Sequence, residues 1–95
     1  GFSSKKVKLE IITERIDEIE NYILNTVVRG VSKYKIIGGY TKMEKTVLTT
    51  ICTPRESIMI KHFISSVDQD AFIDVLPVST VWGKGAGFEP LIDNQ

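Results

Sequence analysis

Two short glycine-bearing runs gather the residues of this chain best suited to hold a ligand through backbone and side chain together. The first is Gly38-Gly39-Tyr40-Thr41, with Lys42 and Lys45 close behind. Paired glycines let a backbone approach a ligand or turn through positive φ. Tyr40 offers a ring for stacking, Thr41 a hydroxyl for an oxyanion, and the lysines positive charge. The plainer reading of the same run is a hairpin loop whose glycines serve only the turn. It is not a P-loop, which ends in Gly-Lys-Ser/Thr. The second run is Gly83-Lys84-Gly85-Ala86-Gly87-Phe88. Successive free amides beside a lysine make an anion nest. No helical pattern follows it, so the dinucleotide-binding requirement is not met. Its competing reading is an exit from the last strand, pinned by Trp82 and Phe88. A third feature, Arg29-Gly30, reads as a cation placed at a helix C-terminus, where the dipole favours it.

Residue types for catalysis are scarce. His62 is the one histidine and Cys52 the one cysteine. They fall on separate elements and make no metal set. His62 lies beside the apolar face of its helix and reads as solvated, and Cys52 reads as a buried, inert thiol. No nucleophile–base pair can be assembled. No catalytic residue, metal or cofactor is therefore expected, and the chain is not expected to be an enzyme. Twelve Lys+Arg balance twelve Asp+Glu, which argues against a general nucleic-acid binder. One cysteine permits no internal disulfide and fits a reducing compartment. No run reaches the roughly 20 apolar residues that cross a bilayer.

The elements that must position these runs follow from periodicity. Residues 6–12 alternate, with Val7, Leu9 and Ile11 against Lys6, Lys8 and Glu10, as in a half-buried strand. At Thr13 the period changes, and Ile16, Ile19, Ile23 and Val27 trace one helical face. Thr13 is expected to cap that helix, and Gly30 to close it in a left-handed conformation. Residues 31–37 and 46–52 read as strands joined through the Gly-Gly loop, a connection long enough to extend as a protruding ribbon. Thr53-Pro54-Arg55-Glu56 carries a capping box with proline at the first helical position. Met59, Ile60, Phe63, Ile64 and Val67 supply that helix's apolar face. Residues 71–76 form the last strand, and Pro77 implies an edge or a bulge. The expected fold is α+β, a ferredoxin-like βαββαβ sandwich: one four-stranded antiparallel sheet with two helices on one face.

The run from Val7 to Glu56, with Arg29-Gly30, Gly38-Gly39-Tyr40-Thr41 and the Gly-rich aromatic ending in that order, resembles the uncharacterised C-terminal domain of YitT-type bacterial membrane proteins. The resemblance implies a PII-like fold, transmembrane helices ahead of this domain, residues 1–5 as a linker remnant, a domain over 6–88 and a tail over 89–95. It places the full-length protein in the cell membrane with this domain cytoplasmic. In PII-type proteins the corresponding hairpin is the signalling loop and ligands bind in clefts between subunits. That directs binding to Gly38, Gly39, Tyr40 and Thr41, and further to Gly83, Lys84, Gly85, Gly87 and Phe88. The expected role is regulatory or ligand-sensing, with a small anionic metabolite or nucleotide as partner. The alternative is a self-association module that sets the oligomeric state of the membrane protein, and a homo-oligomer is expected under either reading.

Overall fold

Alternation hands over to helical spacing at Thr13, and the computed structural model, which describes residues 5–79, bends there. Strand β1 spans Lys6–Ile12. Helix α1 spans Ile16–Tyr22 and runs straight on as a π-helical turn over Ile23–Val27. Strands β2 (Ser32–Ile37) and β3 (Glu44–Cys52) follow, then helix α2 (Pro54–Val67) and strand β4 (Phe72–Val78). The sheet order is β2-β3-β1-β4, and every neighbouring pair is antiparallel. This is the expected ferredoxin-like arrangement.

The register explains why one face takes both helices. Leu9 pairs with Thr50, Ile11 with Leu48 and Val7 with Cys52, so these side chains share a face. Leu9, Ile11, Leu48 and Cys52 meet Ile19 and Ile23 of the first helical segment and Ile60 and Ile64 of α2 in one buried cluster. Each fully buried Leu or Ile contributes roughly 1.5–3 kcal/mol. Among the described residues the outer strands, β2 and β4, are edges. β4 continues through Pro77, which pairs with Val7, and an edge tolerates the missing donor.

Helix α2 starts as its sequence dictates. Thr53 Oγ1 accepts from the Glu56 amide at 3.1 Å, and Glu56 Oε1 accepts from the Thr53 amide at 2.9 Å. One expected core residue moves. Met59 lies on the flank, about 100° around the helix from Ile60, and Ser57 takes the buried place instead, donating to the Pro54 carbonyl at 2.7 Å.

The first helix departs from expectation at both ends. Thr13 does not cap it. Its hydroxyl donates to Asp68 Oδ2 at 2.6 Å and accepts from the Arg15 amide at 3.0 Å, and the helix begins uncapped at Ile16. The helix starts three residues after Thr13, with Arg15 at the cap position, so the Thr13 hydroxyl accepts an amide ahead of the helix and gives its proton to the carboxylate. Gly30 does not close the helix either. Val28 does, at φ 63°. The π-turn widens the helix end, so the Val28 amide and the Arg29 amide (3.0 Å) both reach the Ile23 carbonyl. The left-handed residue therefore falls two positions earlier than the glycine. Strand β3 also begins earlier than expected, because the ladder continues to the Ile37–Glu44 pair. Beyond Ile11–Leu48, β3 is paired on one side only, so β2 and β3 extend as a ribbon.

Asp68 joins the two helix–strand links. Besides Thr13 it accepts from the Glu14 amide at 3.2 Å and the Asp70 amide at 3.0 Å. The Thr13 hydroxyl, with those amides, holds the Asp68 carboxyl below its ordinary 3.8. A depressed carboxyl adds stability that is complete above its unfolded-state value and is lost as the pH falls through the folded one. Urea unfolding followed between about pH 6 and pH 3 is expected to show this loss, and Asp68→Ala is expected to lower stability at pH 6 and flatten the acid limb. An unchanged acid limb in the variant contradicts the assignment.

Candidate functional site

The junction between the π-turn and β2 combines a left-handed residue, a forked ion pair and a side chain–backbone hydrogen bond within three residues. After the left-handed turn at Val28, Arg29 meets the first turn of α2. Its Nε bonds Glu56 Oε1 at 2.9 Å and its Nη2 bonds Glu56 Oε2 at 3.3 Å. The forked geometry is the one guanidinium and carboxylate favour. Burial pulls the Glu56 carboxyl upward, but the Thr53 amide and the Arg29 guanidinium outweigh it and hold the group below its ordinary range. Arg29 thus serves the start of the second helix, where its sequence position alone suggested the end of the first. One residue on, the Gly30 carbonyl accepts from the buried Thr50 hydroxyl at 2.7 Å.

These bonds position the rim of a cleft on the sheet face turned away from the helices. Lys8, Gly30, Ser32, Thr49, Thr50 and Ile51 line about 420 Å³. Ser32 pairs with Thr49 and Lys8 with Ile51, so two hydroxyls and an ammonium share one face. Thr49 Oγ1 is buried and has no hydrogen-bond partner among the described residues. Leaving a buried hydroxyl unmatched costs about 1–3 kcal/mol. Lys8 Nζ lies 3.7 Å from Glu10 Oε2, which also accepts the Tyr34 hydroxyl at 3.0 Å. That bond holds the Tyr34 phenol above its ordinary 10.0. A Cβ built on Gly30 meets nothing within 4 Å, so the glycine borders open space. The set of donors suits oxygens of a carboxylate or phosphate.

The first run singled out in the sequence is at the other end of β2. Thr41 Oγ1 accepts from the Met43 amide at 3.2 Å, and Gly38 N and O bond Met43 O at 3.0 Å and Lys42 N at 2.8 Å. A Cβ on Gly38 would lie 2.7 Å from Thr41 Oγ1, so Gly38 is required by the turn itself. Gly39 faces open space, and Tyr40 is 97% exposed. Gly83, Lys84, Gly85, Gly87 and Phe88 lie outside the described residues. Cys52 is buried, and burial pushes its thiol up. His62 is exposed beside the stacked rings of Tyr22 and Phe63, whose centroids are 4.1 Å apart.

Lys8, Ser32 and Thr49 were not legible as a site in the sequence. The available signal was polar residues alternating on the outward face of otherwise β-branched strands, which fits any solvated sheet face.

The family described as "Uncharacterized protein conserved in bacteria (DUF2179)" matches residues 29–83. The Bacillus subtilis UPF0750 membrane protein YvjA is 32% identical over 85 residues, covering 90% of this chain and 30% of that protein. The Bacillus subtilis UPF0750 membrane protein YitT is 26% identical over 78 residues, covering 82% of this chain and 28% of its own length. This chain therefore spans less than a third of those relatives. Among solved structures, Arabidopsis thaliana PII bound to citrate superposes with a TM-score of 0.66 at 24% identity, over 84% of this chain and 83% of that one, which identifies the fold as PII-like. Among the described residues, no helix is long and apolar enough to cross a membrane.

Val28 marks stored strain in the turn that leads into the site. It is β-branched, left-handed and 72% exposed, so its side chain recovers little of the cost by burial. Val28→Gly is expected to raise the unfolding free energy by about 1 kcal/mol, the relief of strain exceeding the added chain entropy. A urea midpoint unchanged or lowered by the substitution overturns this reading.

Proposed function

The chain belongs to the bacterial DUF2179 family, and from that premise we propose that it is the cytoplasmic regulatory domain of a multi-pass membrane protein, sensing a small anionic metabolite or nucleotide rather than catalysing a reaction. The observation that carries this reading is the unmatched Thr49 hydroxyl, buried in a cleft beside Ser32 and the Lys8 ammonium. A ligand oxygen there would supply the missing partner. The PII protein that shares the fold is described as bound to citrate, a polycarboxylate of the chemistry these donors suit. The cleft borders Gly30, and Arg29 clasps Glu56 at the start of α2. Ligand binding that favours one geometry of this junction would bias the helix layer. It does so only if the two states bind the ligand unequally.

Thermal unfolding with citrate, phosphate and adenine nucleotides tests the reading. At least one is expected to raise the melting temperature of the chain, and Thr49→Val is expected to abolish that rise. The same variant, without ligand, is expected to melt about 4–8 °C higher, because it removes an unmatched hydroxyl worth about 1 kcal/mol. If no anion shifts the transition, or Thr49→Val leaves the shift intact, the site fails.

A second reading rests on a separate observation. Tyr34, Ile36, Ile51, Phe72 and Leu76 are exposed large side chains on the same open face of the sheet. Self-association through that face would cover them and would wall the cleft with a neighbouring subunit. Light scattering is expected to show an oligomer that Phe72→Glu with Leu76→Glu converts to monomer. A wild-type chain that stays monomeric at the highest soluble concentration rules this interface out.

A further inference from the structure

The tip of the β2–β3 ribbon carries a surface that neither the cleft nor the open sheet face explains. Ile37 is 70% exposed, Tyr40 97% and Met43 59%. Ile37 precedes the turn over residues 38–43 and Tyr40 and Met43 lie in it, beyond the last point at which β1 supports β3. Around them stand Lys35, Lys42 and Lys45, all exposed; Glu44 lies 3.8 Å from Lys35, and on the side toward the body of the domain Lys45 shares a cleft with Glu14, Asp68 and Asp70. The chain as a whole is neutral, whereas residues 35–45 carry Lys35, Lys42 and Lys45 against Glu44, a positive excess along the ribbon itself. Internal bonds hold its shape: Gly38 N to Met43 O, Lys42 N to Gly38 O, and Met43 N to Thr41 Oγ1. The turn is thus built to present its side chains outward.

We propose that this tip docks on an anionic bilayer surface. Its chemistry matches that partner on three counts. Tyrosine favours the headgroup level, where its ring and hydroxyl find different media. Isoleucine and methionine are apolar enough to enter the acyl boundary, and lysines reach back to lipid phosphates along their own methylene stems. A convex turn with outward side chains has no groove for a shaped protein ligand, and an interface selects by depth and charge. The family relatives are named as membrane proteins, and the stretch matched to this chain is less than a third of their length, so on this proposal the domain works tethered to a protein that already resides in a bilayer. Tethering raises the effective concentration, and a contact too weak to recruit a free protein suffices to orient a linked one.

Cosedimentation of the 95-residue chain with vesicles tests the proposal, using phosphatidylcholine with and without phosphatidylglycerol. The chain is expected to bind the phosphatidylglycerol vesicles and to release them as salt rises. Lys45→Ala and Lys42→Asn are each expected to weaken binding about fivefold, the worth of one lysine near such a surface. Asparagine is chosen at position 42 because Lys42 has φ 60° and asparagine accepts that backbone. Tyr40→Ser with Met43→Ser is expected to remove binding while leaving thermal unfolding unchanged, since both side chains are exposed. Thr49→Val, which alters the cleft, is expected to leave vesicle binding intact. Failure to bind protein-free anionic vesicles, equal binding to neutral ones, or binding indifferent to the tip variants overturns the proposal, the first of these leaving a protein partner for the ribbon.

Discussion

One layer of aliphatic side chains holds the molecule in its shape. Leu9 and Ile11 of the central strand β1, Leu48 and Cys52 of β3, Ile19 and Ile23 of the first helical segment, and Ile60 and Ile64 of α2 are all but fully removed from water. Strand register permits only one face to do this. A slip of a single residue along β1 would turn Leu9 and Ile11 outward and Lys8 and Glu10 inward. Because both helices are committed to that face, the opposite face has no covering layer among the described residues. Its mixture of Lys8, Glu10, Tyr34, Thr49, Ile51, Phe72 and Leu76 is the consequence.

Polar clasps then fix how the connections meet the layer. Asp68 draws together the β1–α1 link and the end of α2, and Glu56 is shared between its own helix cap and Arg29. The shared carboxylate makes the start of α2 and the end of the π-turn one rigid corner. Strain sits in the same corner, because the wider π-turn places Val28, not Gly30, in the left-handed conformation. Glycine at 30 remains useful for another reason: its carbonyl takes the Thr50 hydroxyl while its bare Cα borders the cleft. π-turns of this kind occur often beside functional sites.

The two surfaces assigned roles here lie at opposite ends of β2. Ser32 opens the strand at the cleft, and Ile37 closes it at the ribbon tip, roughly 17 Å apart at ordinary strand rise. The strand between is paired to β3 along its whole length. A ligand at one end and a lipid surface at the other would therefore bear on a single ladder.

What the sequence determined by itself is the order of elements, the start of α2 and the apolar layer. These depend on neighbours within about four residues: alternation in β1, the three-four spacing of Ile16, Ile19, Ile23 and Val27, and the Thr53–Glu56 capping box. The Gly38 turn belongs here too, since Thr41 and Met43 lie within its own loop. What only the tertiary structure decided is every pairing made across the chain. Thr13 reaches an acceptor 55 positions away and Arg29 one 27 positions away. Thr49 is set opposite Ser32 by the register, and its buried hydroxyl finds no partner among the described residues. A capping residue and a cation are recognisable locally, but which partner wins them depends on distances that exist only after the layer has closed.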